Sequence, residues 1–153
     1  MAALHKRLLR KKLTVATAES CTGGMLGTVL TAHGGSSGFY RGGAVVYSNG
    51  ANTVLADVAP NLIHGHGAVS SVVAQALAAG VRRRLAADIG IGITGIAGPG
   101  GAVPGKPVGL VFVAIDSDRT SRVKQSRFPY DRDGNRRASV AVALDLLGEV
   151  LGG

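Results

Sequence analysis

Apolar positions along this chain recur with two different periods, and the switches between them mark out its elements. Residues 13–18, LTVATA, form a short apolar run that reads as a buried strand. GGAVVYS (residues 42–48) reads as a second strand, and DIGIGIT (88–94) as a third in which glycine alternates with branched apolar residues. Such glycines suggest that something packs closely on one face. VGLVFVAI (108–115) is apolar at nearly every position and predicts a strand buried on both faces. The more polar TSRVKQSRF (120–128) predicts an edge strand, joined to its predecessor by a turn at residues 116–119.

The helical period appears elsewhere. Val73, Leu77, Val81 and Leu85 recur at intervals of four, which predicts an amphipathic helix over 71–87. A turn at 65–70 leads into it, with Ser70 as N-cap. Val140, Leu144, Leu147 and Leu151 predict a closing helix. Residues 4–12 suit a short basic helix, 25–32 a short helix and 50–57 a weak helix or turn. Pro60 suits the first position of a helical turn. Residues 33–38 read as a loop, and residues 95–107, GIAGPGGAVPGKP, cannot be regular structure. Strands alternating with helices predict a three-layer α/β/α sandwich on a mixed, mostly parallel sheet, formed by one domain over residues 1–153.

Composition narrows the function classes. A chain that is 46% apolar and 17% charged can build a sizeable core, so disorder is excluded. No apolar run approaches the roughly 20 residues of a membrane span. The basic start, MAALHKRLLRKK, lacks the apolar segment and cleavage site of a signal peptide. A single cysteine, Cys21, cannot form an internal disulfide, which suits a cytoplasmic location. The net charge of +8 comes from three basic clusters, around residues 6–12, 82–84 and 127–137. The first two read most simply as solvated helix faces. No aromatic residue alternates with these cations, so nucleic acid is a poor fit as partner and a small phosphorylated molecule a better one. His64 and His66 have no carboxylate or thiol nearby at metal-binding spacing, so no metal site is expected.

Three loops that follow predicted strands could carry chemistry, because sites in open α/β sheets gather at the carboxyl ends of strands. In AESCTGG (18–24), a strand runs into a glycine-started helix, where backbone N–H groups favour an anion or an oxyanion. Ser20 is then a candidate nucleophile; the alternative is that Ser20 or Thr22 simply caps the helix. TGIAGPGG (94–101) has the glycine content to cradle an oxyanion or phosphate, but matches neither the dinucleotide nor the P-loop fingerprint. YSN (47–49) offers a phenol, a hydroxyl and an amide.

TVATAESCTGG, GGAVVYSN, HGAVS, ITGIAGPGG, KPVG and FPYDRDGNRRA follow one another in that order, and over about residues 13–151 the chain resembles the CinA C-terminal domain family. Stand-alone domains of this kind are nicotinamide mononucleotide amidohydrolases. The resemblance implies hydrolysis of that nucleotide's carboxamide to nicotinate mononucleotide and ammonia, without metal or cofactor, by a domain that tends to form homo-oligomers. It makes Ser20 the nucleophile and Tyr47 a further catalytic residue. It assigns nucleotide binding to Thr22, Gly23 and Gly24, to Ser48 and Asn49, to Thr94, Gly95, Gly98, Gly100 and Lys106, and to Arg132 and Arg136.

The chain departs from the family pattern Y-S-N-x-x-K at one catalytic position. Residues 47–52 read YSNGAN, so Asn52 stands where the family carries a lysine. An amide does not take a proton at neutral pH. Either another group serves as base (Lys106, Tyr47, His33, His64 or His66), or turnover is slow, or the domain keeps its nucleotide pocket without the chemistry. Tyr130 is a second departure, at a position where the family usually has glycine.

Overall fold

A computed structural model describes residues 1–152. Its elements run α1 (Ala2–Lys11), β1 (Val15–Glu19), α2 (Met25–Leu30), β2 (Tyr40–Val45), α3 (Asn49–Ala56), α4 (Pro60–His66), α5 (Ser71–Arg84), β3 (Ile89–Gly95), β4 (Leu110–Ser117), β5 (Ser121–Arg127) and α6 (Arg132–Gly152). Each predicted element is present. The boundaries move where local signals compete. The strand expected at 42–48 starts and ends earlier, because Ser48 accepts a hydrogen bond from the Ala51 amide and opens α3 instead. Ser70 caps α5 by accepting from the Val73 amide at 3.2 Å. The turn expected at 116–119 is shorter, since β4 runs on to Ser117.

The five strands lie in the order β2-β1-β3-β4-β5. The sheet is mixed: β1 pairs in parallel with β2 and β3, while β4 is antiparallel to β3 and β5 to β4. Only β4 therefore runs against the rest.

Helices cover both faces. On one side Leu8 of α1, Leu26 and Leu30 of α2, and Val140, Leu147 and Leu151 of α6 pack with Val15, Ile89, Ile91 and Ile93. On the other, Val73, Leu77 and Val81 of α5 pack with Ala16 and Ala18, and Ala74 and Ala78 with Leu110, Phe112 and Ala114. The glycines of β3 make the α5 contact close. A Cβ on Gly90 would lie 2.0 Å from the Ala78 carbonyl oxygen, and one on Gly92 2.4 Å from that of Ala74. The basic run ending α5 is not a freely solvated face. Arg82 pairs with Asp116 and Asp118, and Arg83 and Arg84 face Asp57.

This topology decides where the loops meet. Glu19, the last residue of β1, aligns with Val45 of β2 and Ile93 of β3, so three adjacent parallel strands end at one edge. β5 ends at that edge too, because Arg127 lies opposite Leu110 at the start of β4. The chain then turns through residues 128–131 and enters α6 beside the same loops.

Candidate active site

Ser20 follows β1 directly. Its amide donates to the Ile93 carbonyl at 3.0 Å, and its carbonyl accepts from Gly23 at 3.0 Å, closing a tight turn. Gly23 (φ 58°) and Gly24 (φ 100°) adopt the left-handed conformation this turn requires. The hydroxyl of Ser20 has no hydrogen-bond partner among the described residues. The side chain is half-buried and lines a cavity of about 210 Å³ with Cys21, Tyr47, Gly95, Ile96, Ala97, Gly98, Gly100, Gly101 and Arg132. Ends of three strands and the start of α6 thus contribute to one space.

Helix α2 is capped neither by Ser20 nor by Thr22. Its N-cap is Gly24, and the carboxylate of Glu19 accepts from the amides of Gly24 (3.2 Å), Leu26 (3.0 Å) and Gly27 (2.8 Å). Glu19 is fully buried, and these donors satisfy it where the helix dipole is positive. Its role was not foreseen. The signal was present in the E of AESCTGG, an acid placed between a buried strand and a helix start. With Glu19 as cap, Ser20 is released from that duty.

Cys21 is buried, and desolvation pushes its thiol up to about 11, against partial relief from its own backbone amide and from Arg136. It is a thiol, not a thiolate, near neutral pH and a poor nucleophile.

Two side chains fix the far wall. Arg132 donates from Nη1 to the Gly98 carbonyl and from Nη2 to the Tyr47 hydroxyl, both at 2.7 Å. Asn135, buried and also unforeseen, donates to the Ala97 carbonyl at 2.9 Å and accepts from the Tyr130 amide at 3.2 Å. A second cavity of about 630 Å³ shares Ala97 and Arg132 with the first and extends along Pro99, Val108, Tyr130 and Asp131 to Arg136. The backbone N–H groups of Ala97, Gly98, Gly100 and Gly101, all on residues lining the Ser20 cavity, have no acceptor among the described residues. Such a ring of spare donors suits an oxyanion or a phosphate.

Other expected site residues lie off the cavity wall. Thr22 is buried with its hydroxyl unpartnered among the described residues. Ser48 is the cap of α3, and Asn49 is the exposed first residue of that helix. Asn52 is buried; its Nδ2 donates back to the Ser48 carbonyl at 3.1 Å, and its Oδ1 has no partner among the described residues. Thr94 donates to the Ala68 carbonyl at 2.8 Å. Lys106 donates to the His66 carbonyl at 2.8 Å and does not line the Ser20 cavity. His33, His64 and His66 do not line it either. Arg136 donates to the carbonyls of Cys21 (3.0 Å) and Thr22 (3.1 Å), so much of its hydrogen-bonding capacity is engaged by protein.

A profile of the CinA C-terminal domain matches residues 1–151. The chain is 51% identical to a CinA-like protein of Acidobacterium capsulatum over 134 residues, which are 88% of this chain and 32% of that protein. It is 51% identical to a CinA-like protein of Koribacter versatilis over 138 residues, 90% of this chain and 33% of the relative. It thus spans about a third of the length of these curated relatives. Among solved structures, a competence-damaged protein (CinA) superfamily protein from Klebsiella pneumoniae superposes with a TM-score of 0.93 at 33% identity, covering 97% of this chain and 93% of the other. A competence/damage-inducible protein from Agrobacterium tumefaciens superposes with a TM-score of 0.91 at 36% identity, covering 99% and 94%.

Proposed function

The chain belongs to the CinA C-terminal domain family, and from that premise we propose that it hydrolyses the carboxamide of nicotinamide mononucleotide with Ser20 as nucleophile. The reading is carried by one observation: a serine hydroxyl unpartnered among the described residues lines a cavity whose other lining residues carry four unpaired backbone N–H groups and a guanidinium. In the proposed reaction Ser20 Oγ attacks the carboxamide carbon, and the negative charge moves to the carbonyl oxygen. Amides of the 20–23 turn or the glycine loop receive that charge. The C–N bond then breaks as the proton given up by Ser20 Oγ passes to the departing nitrogen, ammonia leaves, and water hydrolyses the nicotinoyl ester, its hydroxyl completing the nicotinate carboxyl and its proton returning to Ser20. Tyr47 accepts from Arg132, which leaves its own hydroxyl proton available to donate. The adjoining cavity has room for the ribose and phosphate, with the Arg132 charge at the junction.

A second reading, a nucleotide-binding domain with weakened or absent turnover, is favoured by a specific observation. Among the described residues no lysine, histidine or carboxylate lines the Ser20 cavity, and Asn52 cannot serve as base. Ammonia release from nicotinamide mononucleotide, measured beside calorimetric binding, separates the two. On the hydrolase reading wild type releases ammonia and Ser20→Ala lowers the rate by about 10³-fold or more. Binding without ammonia release from wild type supports the second reading. A gain for Asn52→Lys, of about 10²- to 10⁴-fold at most, would assign the deficit to the missing base. A lower rate in Asn52→Lys than in a fast wild type would remove that deficit from the account.

A further inference from the structure

Two arginines reach the site from the first turns of α6, and their bonding differs. Arg132 lines both cavities, with its guanidinium shared between Gly98 and Tyr47. Arg136 borders only the larger one, and it donates from Nε and Nη2 to two successive carbonyls, those of Cys21 and Thr22. A guanidinium is a planar fork with fixed donor directions, so this two-point grip orients both peptide planes. The held segment is the turn that carries Ser20. On its strand side the Ser20 amide is tied to Ile93, and within the turn Gly23 is tied to Ser20. Of the remaining carbonyls, that of Cys21 is held by Arg136, and that of Thr22 by Arg136 together with the Met25 amide at 3.0 Å. A Cβ on Gly23 would sit 3.5 Å from Arg136 Nη2, which shows how closely the guanidinium lies against the turn.

We infer that Arg136 is a positioning residue: it fixes the Ser20 turn through the Cys21 and Thr22 carbonyls rather than gripping the substrate. This rests on the reading of Ser20 as nucleophile. The consequence is chemical. A carbonyl and the N–H of the same peptide unit point in opposite directions, so holding the Cys21 carbonyl turns the Thr22 amide away from α6. Holding both planes also fixes the direction in which Ser20 leaves β1. Misplacing a reacting group by about 1 Å can cost about 10²-fold in rate without loss of binding.

Arg136→Lys and Arg136→Met test this in the full chain. Lysine keeps the charge and loses the fork; methionine loses both. Amide hydrogen exchange at Gly23, which reports the bond to the Ser20 carbonyl, is expected to accelerate by about tenfold or more in both variants, while Ile91 in β3 is unchanged. With nicotinamide mononucleotide, kcat is expected to fall by about 10²-fold and KM to stay within about twofold. Unchanged exchange at Gly23 overturns the inference, as does a raised KM with kcat preserved, which would place the guanidinium on the substrate. A wild-type kcat in Arg136→Lys also overturns it, because charge alone would then suffice. If Arg136→Met does not fold, the lysine variant carries the same measurements. If wild type releases no ammonia from this nucleotide, the amidohydrolase reading fails, and the exchange at Gly23 still decides whether Arg136 holds the turn.

Discussion

Ser20 and Cys21 are neighbours in sequence with opposite fates. Cys21 turns into the apolar side with Val15, Leu26 and Val111, and desolvation lifts its pKa from 9.0 to about 11. Both residues line the cavity, but Ser20 is only half-buried and its hydroxyl has no partner among the described residues. In an unfolded chain the thiol titrates at its ordinary value, so between that pH and about 11 the unfolded state has released a proton that the folded state retains. Stability is therefore expected to fall as pH rises through this window, and to fall less in Cys21→Ala. Urea unfolding of both proteins from pH 7 to 11 would measure the difference. Alkylation of Cys21 by iodoacetamide in the folded protein should likewise be negligible near pH 8 and increase toward pH 11.

At the scale of elements, the β3–α5 packing holds the sheet's central strand in place. β3 delivers the glycine loop, and α5 lies against its glycine face with Ala74 and Ala78 at the contact. The alternation I-G-I-G-I divides the strand: isoleucines join the α1/α2/α6 side of the core while glycines admit the α5 backbone. A methyl at Gly92 would collide with the backbone of α5 at the Ala74 oxygen and the Ala78 nitrogen, neither of which can move alone. Gly92→Ala is expected to destabilise the fold by about 1–3 kcal/mol or more, read as a lowered Tm. A melting temperature equal to wild type would mean that α5 shifts freely over β3.

For the molecule as a whole, the positive charge is unevenly spent. Arg82, Arg83 and Arg84 face aspartates, and Arg136 holds carbonyls. Lys6, Arg10, Lys11 and Lys12 of the first helix and its cap are exposed, with no acidic partner among the described residues. Such a cluster attracts polyanions without reading sequence. Binding to double-stranded DNA is expected to weaken steeply between about 50 and 200 mM salt and to show no preference between sequences, as a titration with two unrelated duplexes would show. A preference that survives at the higher salt would contradict this and point to contacts with base edges.

The linear sequence determined the elements, because their causes are local. Hydrophobic period, the Ser70 cap, Pro60 and the glycine-rich loops each act within a few residues, and the structure places helices and strands where they predict them. It also determined the motifs on which family membership rests. The partners of the polar side chains were decided only in three dimensions. Asn135 meets the Ala97 carbonyl, Lys106 the His66 carbonyl and Arg136 the carbonyls of residues 21 and 22. A carboxylate or guanidinium in a sequence is a demand for hydrogen bonds, and nothing in its neighbours along the chain specifies who meets it. The parallel alignment of β2, β1 and β3 at one edge, with α6 returning over it, supplies those partners. It separates Ser20, Tyr47 and Arg132 at the cavity from Asn52 and Lys106 away from its wall.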